Sequence, residues 1–224
     1  MVAAGTGATR ADNRPRNSRA SGLRSCAEGA PKRRSSASDR WEATQMALPS
    51  SRYPFPMNQF LRTAYGDPCR ECGFEWSVGP AVCGAIVSDA PARFRSLLAG
   101  HDGKEAHPNL EWNATAYVVH VADVLRIWSD RIAAVALGAS EPVVPYDEDR
   151  LGDARGYMRL PLPGALWSLG RAVGDWQAAE QLAESATVVL AHPEQGPLPL
   201  DDVRRIMAHE IEHHVGDLLL IVSP

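Results

Sequence analysis

Apolar residues recur at helical spacing in four blocks of this chain, and polar stretches rich in Pro and Gly separate the blocks. The clearest block is "ATAYVVHVADVLRIWSDRIAAVALG", where Tyr117, Val121, Val124, Leu125, Trp128, Ile132 and Val135 step by three and four. Residues so spaced share one helix face, which predicts an amphipathic helix. Asn113 stands just before it, with a side chain suited to capping the first free amides. Gly138 stands just after, where a chain can leave a helix. An earlier helix is expected over 78–100, with apolar positions Val82, Ile86, Phe94, Leu97 and Leu98. Pro91 should kink or restart it, because proline removes an amide donor and crowds the preceding turn. A third helix is expected from about Pro163 to Ala183, and the last, "DVRRIMAHEIEHHVGDLLLIV", after a capping Asp201.

The segments between these blocks are of two kinds. "ASEPVVPYDEDRLGDARGYMRLP" is acidic and broken by Pro and Gly, and reads as a long solvated crossover. Its stretch 146–153 lacks the spacing of a calcium-binding loop. "TVVLAHPEQGPLPL" reads as a short β-hairpin turning at 193–196. The expected fold is therefore all-α: a four-helix bundle over 78–222, with a long crossover loop and a minor β-hairpin before the last helix.

Composition changes this picture at the N-terminus. The chain has 224 residues, 45% of them apolar, and a net charge of −4. Residues 1–45 carry +5 and the rest −9, and the first stretch holds almost no large aliphatic side chains. Such a segment cannot bury enough apolar surface to offset its ordering entropy, so 1–56 is expected to be a disordered basic leader. Three origins fit it: an organelle transit peptide, a nucleic-acid-binding tail, or translated upstream sequence with the true start at Met46 or Met57. The last is favoured, because the segment lacks the apolar helical period of a transit peptide. No apolar run approaches the roughly 20 residues that span a bilayer, and the overall charge gives no reason to expect nucleic acid. Neither a membrane nor a nucleic acid is expected as a partner. Four cysteines, Cys26, Cys69, Cys72 and Cys83, are too few for a disulfide scaffold in a chain this long. A cytoplasmic, thiol-reduced protein is expected.

Candidate chemistry concentrates in "AHEIEHHVGD". Two pairs have the i,i+4 spacing that shares a helix face: His209 with His213, and Glu210 with His214. The pairs point about 100° apart, so only one is expected to face the core. The Glu210/His214 face also carries Val203, Met207, Asp217 and Ile221. The other face carries Asp202, Arg205, Ile206, Gly216 and Leu220, and begins with two charges. Glu210 and His214 should thus point inward, with His209 and His213 nearer solvent or at a boundary. A buried carboxylate is costly unless paired or bound to a cation. His120, mid-stripe in the second helix, would complete a His₂–carboxylate set, and three protein ligands with one open position suit catalytic zinc. The competing reading makes His120 a core histidine bonded to a carbonyl and pairs Glu210 with an arginine.

At these residues the chain resembles the DinB-like superfamily, which includes the mycothiol-dependent maleylpyruvate isomerases. The matching pieces are "WNATAYVVHVADVL", "VVLAHPEQGPLPL" and "AHEIEHHVGD", across residues 112–217. The resemblance implies a four-helix bundle whose metal is held by a helix-two histidine and an i,i+4 pair in the last helix. The maleylpyruvate isomerase branch uses Glu/His for that pair, which falls here on Glu210 and His214. It implies a metal-dependent S-transferase or isomerase that activates a low-molecular-weight thiol against an electrophilic substrate. The alternatives are a metal-dependent hydrolase and a non-enzymatic binding or stress-response module. A homodimer is a candidate state.

Other features are secondary. The segment 57–77 holds "DPCRECGFEW", where Cys69 and Cys72 have the spacing of half a zinc ribbon. They could be a redox dithiol, a metal knuckle completed by another ligand, or two reduced cysteines in a turn where Gly73 takes positive φ. Tyr117, one turn before His120, would line the open metal position or pack in the core. Asp217 would orient a ligand histidine from behind or lie on the surface. His213 is a further candidate beside the site. Trp112, Trp128, Trp167 and Trp176 are expected in the core or in a cleft wall.

Overall fold

The computed structural model describes residues 58–193 and 195–223, so the disorder expected of 1–56 lies outside the described residues. Helix α1, Asn58–Tyr65, leads through an irregular segment into α2, Pro80–Leu97. Then come α3, Ala114–Ala136, a short α4, Glu148–Arg155, a single 3₁₀ turn, Tyr157–Arg159, and α5, Leu162–Ala183. Strands β1, Val189–His192, and β2, Gly196–Pro199, precede α6, Leu200–Val222. The bundle expected from periodicity is present in α2, α3, α5 and α6, with the minor hairpin before the last helix. Among the described residues no helix is long and apolar enough to cross a membrane.

Helix α3 is the centre of the bundle. It packs along α5, also touches α6, and carries α4, the 3₁₀ turn and β1. Every residue from Ala114 to Leu125 is buried, which small Ala and Val side chains permit because neighbouring helices can then approach on several sides. The expected stripe is thus part of a helix enclosed on all sides over its first three turns. Its start is fixed as expected: Asn113 accepts a hydrogen bond from the Ala116 amide at 2.9 Å. In the antiparallel hairpin Leu190 lies opposite Leu198, and both are fully buried against the bundle.

Five expectations are corrected. Pro91 does not restart α2, which runs unbroken from Pro80 to Leu97. Its neighbours Ala90 and Phe94 are completely buried, and that packing holds the turn proline weakens. The inward face is Cys83, Val87, Ala90 and Phe94, so Val82 is half exposed. Asp201 does not cap α6, which begins one residue earlier after Pro199. Asp201 and Asp202 instead sit in the first turn, where they favour the helix dipole and pair with Arg204 and Arg205 at 2.7 and 2.9 Å. Trp167 is 69% exposed, whereas Trp128 and Trp176 are buried. Finally, the acidic crossover is not wholly a loop. Asp147 caps α4 by accepting from the Arg150 amide, and Gly156 ends it at φ 67°.

Candidate metal centre

Helices α3 and α6 bring His120, Glu210 and His214 together. Each offers a ligand atom, and these atoms lie within 4.8 Å of one another. One Glu210 oxygen, Oε1, stands 2.7 Å from His120 Nε2 and 3.1 Å from His214 Nε2. The His120 and His214 rings meet edge-on, with centroids 4.9 Å apart. The site is largely closed, with His120, His214 and Glu210 side chains 4%, 12% and 24% exposed. Helical geometry accounts for the pair on α6, since i and i+4 stack on one face, and Val203, Met207 and Ile221 on that face are buried as expected. The competing reading of Glu210 is not met: among the described residues it pairs with two imidazoles and with no arginine.

Charge is concentrated here. Burial opposes ionisation of Glu210, but the His214 charge and the bonds from both imidazoles outweigh it and hold the carboxyl well below its ordinary range. Burial likewise opposes charge on His214, yet the Glu210 and Asp217 carboxylates prevail and raise it to about 9. Asp217 Oδ2 lies 2.8 Å from His214 Nδ1. That contact fixes the ring so that Nε2 faces Glu210, the orienting role considered for Asp217. Two imidazoles, one of them braced by Asp217, and a carboxylate converge on one small volume and could hold a divalent cation.

A fourth residue is one the sequence did not disclose. Glu148 is the first residue of α4, and its Oε2 lies 3.8 Å from His120 Nε2. The side chain is 53% exposed, so it is far more open to solvent than the three donors. Burial and then the Glu210 charge raise its pKa. It lay in the stretch read as a solvated loop, where a carboxylate carries no signal of its own.

Aromatic rings line the same region. Trp112 packs against His120, with ring centroids 5.0 Å apart, and against Tyr117 at 5.4 Å. Tyr117 is buried with its ring 5.2 Å from that of His214. Burial, chiefly, pushes its phenol to about 12, so it stays protonated.

The other α6 pair departs from expectation. His209 is buried, only 5% exposed, and His213 is mostly covered. The cover is the end of α1 and the irregular segment after it. Trp76, Phe74 and Tyr65 stack around His209, with centroids 4.6, 5.6 and 4.9 Å away. The face reading assumed that only the bundle helices cover α6, and so placed these histidines near solvent. Cys69 and Cys72 lie beside them rather than in the His120 site. Gly73 takes the expected positive φ, 75°.

No protein-family model and no curated protein sequence matches the chain. One solved structure does: YfiT from Bacillus subtilis, described as a probable metal-dependent hydrolase with an unusual four-helix bundle topology. The match covers 63% of this chain and 83% of YfiT, with a TM-score of 0.55 and 16% identity. At that identity the likeness shows the fold alone: the bundle of α2, α3, α5 and α6 shares a four-helix topology with YfiT.

Proposed function

We propose that this chain is a metal-dependent hydrolase in which His120, Glu210 and His214 hold one divalent ion, zinc by the character of the donors. When bound, such an ion supplies Lewis acidity that makes water or a thiol a nucleophile at neutral pH. The observation that carries the hydrolytic reading is Glu148. A carboxylate 3.8 Å from a ligand imidazole and open to solvent suits a general base. It takes the proton of incoming water and returns it to the leaving group. Asp217 keeps His214 in one tautomer, and Trp112 with Tyr117 forms an apolar wall that favours a substrate with an unsaturated or aromatic part. The description of YfiT as a probable metal-dependent hydrolase is in keeping with this chemistry.

The motif resemblance supports a second reading: S-transfer or isomerisation with a low-molecular-weight thiol such as mycothiol. It uses the same three ligands, but a thiol has a lower pKa than water and needs no carboxylate base.

Turnover of ester and amide panels by the zinc-loaded chain, with and without added thiol, separates the two. The hydrolase reading expects thiol-independent product release that falls about 100-fold or more in Glu148→Gln, with the metal retained. Loss of the ion in His120→Ala supports the ligand set. Product formed only with thiol, and undiminished in Glu148→Gln, supports the transferase. Metal bound with no turnover in either panel leaves a binding module.

A further inference from the structure

We propose that Cys69, Cys72, His209 and His213 form a second, closed zinc site that clamps the segment between α1 and α2 onto the back of α6. The four residues each offer a ligand atom, and those atoms all lie within 4.8 Å of one another. Cys-x₂-Cys on a tight turn and His-x₃-His on a helix are the two half-sites of tetrahedral Cys₂His₂ zinc sites. Here the chain supplies them from positions far apart in sequence.

Three further observations point to a ligand. His209 Nε2 and His213 Nδ1 are buried and have no hydrogen-bond partner. Buried ring nitrogens are normally satisfied, and two orphans in one cluster call for a missing partner. His213 Nε2 is taken by Glu71 Oε2 at 3.1 Å. That leaves Nδ1 as the ligand atom, in the carboxylate–histidine arrangement that supports metal-bound imidazoles. Glu71 lies between the two cysteines, so one turn supplies both thiols and this brace. The turn itself is preformed: the Gly73 amide donates to the Cys69 carbonyl at 2.9 Å, and the Cys69 amide to the Phe74 carbonyl at 2.8 Å.

The charge balance also fits. Binding exchanges two thiol protons and the ion's water for two thiolates and two neutral imidazoles, so a divalent cation leaves the buried site neutral. Thiolates select zinc over magnesium or calcium. With four protein donors no position is left for substrate, so the role is structural.

The clamp has something to hold. Cys69, Phe74, Trp76, Cys83 and Ala208 form a small core apart from the main one, and few apolar side chains anchor the segment. The second site sits about 100° around α6 from the first. It would fix the rotation of the helix that carries Glu210 and His214.

Cobalt substitution of the full-length protein tests this independently of the His120 site. The chain with His120→Ala and His214→Ala should still bind one Co²⁺, with the thiolate-to-cobalt charge-transfer band of a tetrahedral sulfur-containing site. Adding Cys69→Ser and Cys72→Ser should abolish both ion and band. In the unmutated protein the zinc content should be two per chain, and X-ray absorption should show sulfur scatterers at about 2.3 Å. Absence of that band and of sulfur scattering in the unmutated protein overturns the proposal, whether or not any variant folds. So does a reversible Cys69–Cys72 disulfide in protein that takes up no metal at these thiols. Loss of the first ion alone leaves this proposal standing and counts only against the hydrolase.

Discussion

Asp123 shows how much a single buried charge organises beside the site. It is 4% exposed on α3, three residues after His120. Arg155 of α4 and the Tyr157 hydroxyl each donate to its Oδ2 at 2.6 Å, and Arg126 approaches Oδ1 at 3.2 Å. Burial and then the hydrogen bond to Asp123 raise the Tyr157 pKa, so the phenol remains a donor. Through Arg155 this carboxylate holds down the far end of the helix whose first residue is Glu148. Asp123→Ala strands the Tyr157 hydroxyl and releases α4, and should cost about 3 kcal/mol in urea unfolding. Asp123→Asn keeps a polar acceptor and should cost less, yet still lower turnover by loosening Glu148. Equal turnover in Asp123→Asn and the parent would show that α4 is held by other contacts. Gly103 is a second such point. Its φ is 84°, and an added Cβ would stand 2.1 Å from Thr115 Oγ1 and 2.9 Å from Leu162 Cβ. Gly103→Ala should therefore lower stability by about 2 kcal/mol or more in the same assay, because neither neighbour lies at the free end of a long side chain.

At the scale of the helix, the features legible in the sequence were those governed by one helix's own periodicity. The Asn113 cap, the seven-residue stripe of α3, and the inward turn of Glu210 and His214 follow from spacing alone. What depended on a second element was not legible. Nothing in "AHEIEHHVGD" says that His209 is covered, because the cover is Phe74 and Trp76, more than a hundred positions away. Nothing in "YDEDRLGD" distinguishes Glu148 from its acidic neighbours, because its nearness to His120 comes from where Asp147 starts a two-turn helix. The helix does not restart at Pro91 for the converse reason: its local penalty is real, but tertiary burial of Ala90 and Phe94 exceeds it. The Asn113 cap permits a check at this scale. Asn113→Ala should cost about 1 kcal/mol, whereas Asn113→Asp should cost little by the cap itself. In the latter the Asn113 Nδ2 bond to the Met158 carbonyl, 3.2 Å long, is lost, and a melt resolving the two variants would separate cap from cross-link.

Across the whole molecule, proton and metal compete for the seam between α3 and α6. In metal-free protein the charged Glu210–His214 pair stabilises the fold. His214 is raised to about 9 from an ordinary value near 6.5. Its contribution is thus fully present below about pH 6.5 and is lost as pH rises through 9. Glu210 is depressed, so its share of the same pair is present above the ordinary carboxylate range and lost only in strong acid. A cation needs His214 neutral, so loading the first site at pH 7 must expel its proton. Affinity there should climb about tenfold per pH unit between 6.5 and 9 and then level off. Stripped protein should soften over that same interval, and loaded protein should not. Calorimetry in buffers of different ionisation enthalpy should count about one proton released per ion at this site in a chain carrying Cys69→Ser and Cys72→Ser. A pH-independent affinity with no proton released would mean that His214 is already neutral in the folded protein. Glu210 would then be held by His120 alone, and α6 would need the cation, rather than an internal ion pair, to settle against α3.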